Sequence, residues 1–413
     1  MSPWIEARRA RAAKAWNLED EIVLIAAGRP LGKPGGLDQT YPYIPHPDYR
    51  WLTGARREGG ILAFDPKEGW THFEPVVDEI ERVWGLGPEP TGQPLDELLP
   101  WLKERETRPI RRLGADEEDD GRELREALWH ARRAKDAGEI ETFERAVAAT
   151  AAAHEAARAA VQVGVSERAV KIELEAAAFR AGADAMGYAT IVGSGPNSAV
   201  FHFEPGSRTV KEGEFVLVDA GAEIGGITAD VTRTYHAGSV GNNRSWMLDV
   251  VRHALRAATG ACRLGTEWGD VHLVAAHRIA ASLNEAGVFR CSPESAVESE
   301  AIALFFPHGI GHMVGLGVRD ASGAAPGRSD DRRFGGVRVR MDLPLGENFL
   351  VTVEPGLYFI PALLKDHARR ERFKNEINWA AVEPFLGLGG VRLEDDVLVT
   401  TEGPRNLTES IPL

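Results

Sequence analysis

In its second half the chain places acidic residues at the ends of short apolar runs, and this pattern constrains the fold more than any other feature. Val216-Leu217-Val218 leads into Asp219, and Leu350-Val351-Thr352-Val353 leads into Glu354, which Pro355-Gly356 follows. Short apolar runs bounded by turn residues read as buried strands. A carboxylate at the end of such a strand is costly to bury unless it is paired or binds a metal. From Ala220 to Ala229 the chain is rich in glycine, and a second strand-like run carries Asp230. A hairpin of that form sets Asp219 and Asp230 side by side, where two anions repel strongly unless cations sit between them. Taken alone, either aspartate is an ordinary turn or solvated residue.

Two further pieces belong with these. Phe306-Pro307-His308-Gly309-Ile310-Gly311-His312 sets two histidines among glycines. Glycine lets backbone approach a ligand closely, and neutral imidazole is a common ligand of divalent metals. A packed core histidine is the plain alternative for one of the pair. In Gly389-Gly390-Val391-Arg392-Leu393-Glu394, strand alternation puts Arg392 and Glu394 on one face, where a simple Arg–Glu pair is the alternative. Together the pieces supply four carboxylates and a histidine. Oxygen-rich ligation with one imidazole suits a pair of Mn²⁺, Co²⁺ or Zn²⁺ ions better than a structural zinc site.

The rest of the chain frames this cluster. At 413 residues it exceeds one ordinary core, so two domains are expected, residues 1–121 and 122–413. The first has strand-like runs at 22–27 and 61–64 and helical periodicity over 76–84 and 95–103, and reads as a small α/β domain. Residues 41–54 between the strands are too rich in proline and aromatics for regular structure. The acidic run 116–121 reads as a solvated linker. The second domain opens on alanine-rich helix over 124–161 with a break at Gly138, then a helix over Glu167–Arg180 capped by Ser166. Strand-like runs follow at 189–192, 215–219, 231–235, 350–353 and 396–400, interrupted by helical stretches at 246–258 and 271–286. Helix pairs followed by strands thus occur twice, as a diverged internal duplication would leave them.

A formal net charge of -14 lacks the basic face of a nucleic-acid binder. No apolar run is long enough to span a bilayer, and the N-terminus lacks the apolar stretch of a secretory signal. A cytoplasmic protein with no membrane partner is therefore expected, with Cys262 and Cys291 as free thiols.

The order Asp219, Asp230, His312, Glu354, Glu394 occurs in the contexts VLVDAG, DVTRT, HGIGH, TVEPGLY and GGVRLEDDV. It closely resembles the pita-bread metallopeptidases, the family of methionine aminopeptidase, aminopeptidase P, prolidase and creatinase. The likeness runs from about Leu124 to the end of the chain, and the sequence of 41–54, YPYIPHPDYRWLTG, resembles the segment before Leu-Thr-Gly in aminopeptidase P and prolidase. The resemblance implies an α+β protein with a pita-bread catalytic domain behind a smaller N-terminal α/β domain. It implies two divalent metal ions, manganese first with cobalt or zinc as alternatives. Asp219 would hold one ion, Asp230 and Glu394 would bridge both, and His312 and Glu354 would complete the shell. By the same resemblance Glu354 is the general base on a water shared by the ions and His308 stabilises the oxyanion. Tyr188, His202, Arg340, Arg319 and Arg392 face the substrate.

Within the family the chain is most similar to Xaa-Pro dipeptidase, through residues 358–364, the insertion after them, and Phe-Leu-Gly-Leu-Gly-Gly at 385–390. Arg340 falls where prolidases carry an arginine for the dipeptide's C-terminal carboxylate, which a guanidinium binds through two parallel hydrogen bonds. The expected activity is hydrolysis of Xaa-Pro dipeptides by a homodimer. Aminopeptidase P, acting on longer Xaa-Pro peptides, is the alternative, and a non-catalytic pita-bread binding protein the distant one. One position departs from the pattern, which reads His-Asp where this chain has Arg319-Asp320. An arginine stays charged and cannot shuttle a proton. Arg319 therefore either orients an anionic group or marks a different specificity.

Overall fold

Strand Ile22–Ala26 is buried at every position, as an unbroken apolar run rich in β-branched residues requires. The computed structural model containing it describes residues 3–84, 87–115, 121–329 and 331–412. It divides into two units, Met1–Arg132 and Arg133–Leu413. The expected boundary after Gly121 and this division differ by the helix Arg122–Arg133; most of the acidic run, 116–120, lies outside the described residues.

In the first unit Ile61–Asp65 pairs antiparallel with Ile22–Ala26 and Ile110–Gly114 pairs parallel on its other side. Gly69–Glu74 and Gln93–Pro94 complete a five-stranded sheet. Ile22, Leu24, Ala63 and Phe73 form a core against which Leu98, Trp101 and Leu102 of the helix Leu98–Lys103 pack. Residues 41–54 correct one expectation, because Pro47–Thr53 is a helix. Pro47 stands where a missing N–H costs nothing, the His46 side chain accepts from Asp48 N, and Gly54 closes the end at φ +69°. Tyr49, Trp51 and Leu52 are buried, so the aromatics that argued against regular structure are the helix's core face. The amino-terminal helix Pro3–Trp16 was not anticipated, and the helix expected over 76–84 begins only at Glu79.

In the second unit Asp136 and Glu139 cap the helix Ala137–Ala160 reciprocally, each side chain accepting from the other's backbone N–H. The break in the alanine-rich stretch therefore precedes Asp136, and Gly138 lies inside the first helical turn. Ser166 caps Glu167–Arg180 as expected. The helix Asn242–Ala261 buries Met247, Val250, Val251, Ala254, Leu255 and Ala258, a stripe at helical spacing. It shares one core with the helix Trp268–Glu285 and with Val351, Val353, Leu357 and Val397 from the strands beyond.

Two three-stranded antiparallel sheets carry the acidic residues. In one, Phe215–Asp219 lies between Ile191–Ser194 and Thr232–His236, with Asp219 opposite Thr232. In the other, Asp395–Thr400 lies between Leu350–Val353 and Gly403–Asn406. A bridge joins them where Glu394 N donates to Thr232 O at 3.0 Å. The glycine-rich stretch after Asp219 is itself a small hairpin, Ala222–Ile224 against Ile227–Thr228, turned by Gly225 and Gly226 at φ +60° and +85°. Asp230 follows after Ala229, in the connection to Thr232–His236 rather than on the second strand of the expected hairpin.

Candidate active site

A cavity of about 560 Å³ opens in the second unit, and all eleven residues singled out from the sequence line it. Asp219, the last residue of its strand, accepts from the Tyr188 hydroxyl on Oδ1 at 2.7 Å and from Arg392 Nη2 on Oδ2. Asp230 is fixed through its backbone, whose N–H donates to Asp396 Oδ2 at 2.9 Å. Glu394 Oε2 accepts from Thr232 Oγ1 at 2.7 Å, a bond the strand bridge sets up. Asp230, His312 and Glu394 each offer a ligand atom within 4.8 Å of the others. His312 Nδ1 lies 2.9 Å from Met313 O. A carbonyl only accepts, so the proton sits on Nδ1 and the Nε2 lone pair faces Asp230 Oδ2, 3.5 Å away.

The electrostatics test whether metal ions fit. Burial, then the Asp219 charge, lifts the Asp230 carboxyl well above the usual range; burial, then Asp230, does the same to Glu394. Burial pushes Glu354 up to about 7 and holds His312 down to about 4, the neutral form that ligates metals. Arg392 is the buried guanidinium set among these carboxylates. Divalent cations between the carboxylates remove the repulsion that raises them. Four carboxylates and one unprotonated imidazole nitrogen fit such ions.

Arg392 bears on the plain alternative raised for it. Its guanidinium reaches Asp219, Thr232 Oγ1 at 3.1 Å and Tyr358 OH at 3.4 Å, so the simple pair with Glu394 is not how it is satisfied. His308 Nδ1 donates to Gly309 O at 3.0 Å and stands 3.8 Å from Glu354 Oε2. Its Nε2 therefore accepts from Tyr358 OH at 3.0 Å. Burial, then Arg392, pushes His308 down to about 3, so the ring is neutral. Phe201 packs edge-on against both His308 and Tyr358, with ring centres 5.4 and 5.0 Å apart. Arg319 and Arg340 line the cavity, both exposed, and neither has a hydrogen bond or ion pair among the described residues. Sequence reasoning missed Tyr358 and Thr232. Period-two alternation from Glu354 through Gly356 to Tyr358, and from Asp230 to Thr232, was the signal that would have found them.

The model of metallopeptidase family M24 matches residues 141–401, more than half of the chain. The chain belongs to metallopeptidase family M24. This M24 peptidase is 31% identical over 398 residues to the Xaa-Pro dipeptidase of Xanthomonas euvesicatoria pv. vesicatoria, covering 91% of this chain and 89% of that protein. It is 33% identical over 293 residues to the probable Xaa-Pro aminopeptidase of Talaromyces marneffei, covering 69% of this chain and 62% of that one. Among solved structures it matches the Pseudomonas aeruginosa aminopeptidase PepP with a TM-score of 0.80 at 23% identity, over 99% of this chain and 95% of the other. It matches aminopeptidase P from E. coli with the inhibitor Pro-Leu at 0.81 and 23%, over 100% and 96%. At that identity the structures establish the fold, which is the expected pita-bread architecture. The M24 peptidase is a metal-dependent enzyme of peptide hydrolysis. No helix among the described residues is long and apolar enough to cross a membrane.

Proposed function

We propose that this M24 peptidase hydrolyses Xaa-Pro dipeptides. The observation that carries this is the pair Arg319 and Arg340, two guanidiniums with no hydrogen bond or ion pair among the described residues, at a cavity that also holds four carboxylates. They call for an anion from the ligand. The C-terminal carboxylate of a dipeptide supplies one just beyond the scissile bond, whereas an internal proline does not. Guanidinium binds carboxylate with directional, charge-assisted hydrogen bonds. The relative named Xaa-Pro dipeptidase, alignable over most of both chains, supports the same substrate.

Asp219, Asp230, His312, Glu354 and Glu394 are the proposed ligands of two divalent ions, manganese with cobalt or zinc as alternatives, in a cytoplasmic homodimer. When bound, such ions supply Lewis acidity and bring the pKa of water toward neutrality. Glu354 takes the proton of the attacking water and returns it to the proline nitrogen, which has no hydrogen of its own. His308, whose Nδ1–H donates to Gly309 O before substrate binds, is the proposed oxyanion donor once that N–H exchanges the carbonyl for the substrate oxygen; losing one such donor costs about 2.7–4 kcal/mol of activation free energy. Tyr188 and Arg392 hold the Asp219 carboxylate in one orientation. His202, Arg319 and Arg340 hold the substrate.

The test compares Ala-Pro, Ala-Pro-amide and Ala-Pro-Ala on manganese-loaded enzyme. Ala-Pro should have the highest kcat/KM, with the amide down about tenfold or more. Equal or faster cleavage of Ala-Pro-Ala would overturn the dipeptide assignment in favour of an Xaa-Pro aminopeptidase.

A further inference from the structure

Glu167, the first residue of the helix Glu167–Arg180, is fully buried, and its carboxylate is spent on one loop. Oε1 accepts from Ser194 N, Ser194 Oγ and Asn197 Nδ2, each at 2.8 Å. Oε2 accepts from Gly206 N at 3.3 Å. A single carboxylate therefore closes the base of the loop 194–206 at both ends. The backbone reinforces the closure, Arg168 N donating to Gly206 O at 3.0 Å. Midway, Ser198 Oγ accepts from Gly390 N at 2.8 Å and donates to Gly195 O at 2.7 Å. Gly389 is required beside it, at φ +98° and with a Cβ position only 2.3 Å from Gly195 O.

The far side of the loop carries Phe201, packed against His308 and Tyr358, and His202. His202 lines the cavity, is exposed, and makes no hydrogen bond among the described residues. An imidazole with no side-chain partner is placed by its backbone alone.

We propose that Glu167 is a positioning residue for substrate recognition, setting the loop 194–206 so that His202 and Phe201 form the cavity wall. Glutamine in its place keeps the size but turns an amide N–H₂ toward N–H and O–H donors, so part of the set is lost and part becomes donor against donor. The inference rests on the Xaa-Pro reading only in the choice of substrate.

Glu167→Gln and His202→Ala, singly and together, are assayed on manganese-loaded full-length enzyme with Ala-Pro. Glu167→Gln should raise KM about tenfold with kcat changed by less than about twofold and metal content unchanged. The double variant should have a KM well below the product of the two single effects, because Glu167 acts on KM in large part through His202. Fully additive effects, or an unchanged KM in Glu167→Gln, would overturn the proposal. Should Glu167→Gln fail to fold, Asn197→Ala removes one of the four bonds and must show a smaller rise with the same non-additivity. If wild-type enzyme does not cleave Ala-Pro, the substrate assignment fails by itself. Hydrogen exchange then decides: amides 197–206 must exchange faster in the variant while the helix Ala137–Ala160 does not, and uniform exchange rejects the positioning role.

Discussion

His272 offers a prediction whose size follows from its surroundings. It is 1% exposed, stacked on Phe306 with ring centres 5.0 Å apart, and burial pushes its pKa down to about 4. In the unfolded chain an imidazole titrates near ~6.5. With a base whose folded pKa is depressed, the unfolded state binds the proton first. The native state is therefore fully favoured above ~6.5 and loses stability as pH falls toward 4. At pH 5 the gap of about 1.5 units corresponds to about 2 kcal/mol, against almost nothing at pH 7. The variant His272→Gln cannot take up a proton and keeps a side-chain amide for the Phe334 backbone contact. Urea unfolding of metal-free wild type and variant at pH 7 and pH 5 measures the difference. The active-site carboxylates titrate in both proteins, so only the difference between the two pH responses isolates His272. Wild type should lose about 2 kcal/mol more than the variant over that range. Parallel pH responses would show that His272 is protonated, or exposed, in the native state and would refute the reasoning.

Two other outcomes follow from the same geometry. Asp230→Asn should leave at most about one ion per chain by elemental analysis and lower kcat/KM for Ala-Pro by about a hundredfold or more; two retained ions would exclude Asp230 as a shared ligand. Arg233 is 1% exposed and donates to Asp395 Oδ1 at 2.8 Å and to the Glu394, Thr408 and Ile411 carbonyls, so Arg233→Ala should cost about 3–5 kcal/mol by leaving Asp395 buried with no counter-charge, held only by its bonds from Asn406 and Thr408. A loss below about 1 kcal/mol in denaturant titration would mean that the carboxylate finds another partner.

Much of the site was legible because its chemistry is written locally. Asp219 and Glu354 end strands that any apolar run bounded by glycine or proline announces, and the structure places those strands where the runs stand. What the sequence hid was partnership at a distance. Arg392 is two residues from Glu394, and alternation put both on one face, yet Asp219, 173 residues away, takes its guanidinium. Glu167 reads as one more acidic residue in the first turn of a helix, and nothing near it names Ser194 or Gly206. In the first unit the error ran the other way. The Pro and aromatic content of 41–54 looked irregular, but proline at a helix start and aromatics on a buried face are compatible with one short helix.

The bridge between Thr232 and Glu394 also bears on the order of events in folding. Asp219 ends a strand of one sheet and Asp230 lies just before another strand of it, Glu354 and Glu394 border the other sheet, and the Thr232–Glu394 hydrogen bond spans 162 residues of chain. Joining such distant stretches is a late, entropically slow step. Before it, an arriving ion meets scattered carboxylates and a lone imidazole rather than a site. Metal therefore fastens a seam that the chain has already closed. It should slow the opening of the second unit while leaving the rate at which that unit first forms unchanged.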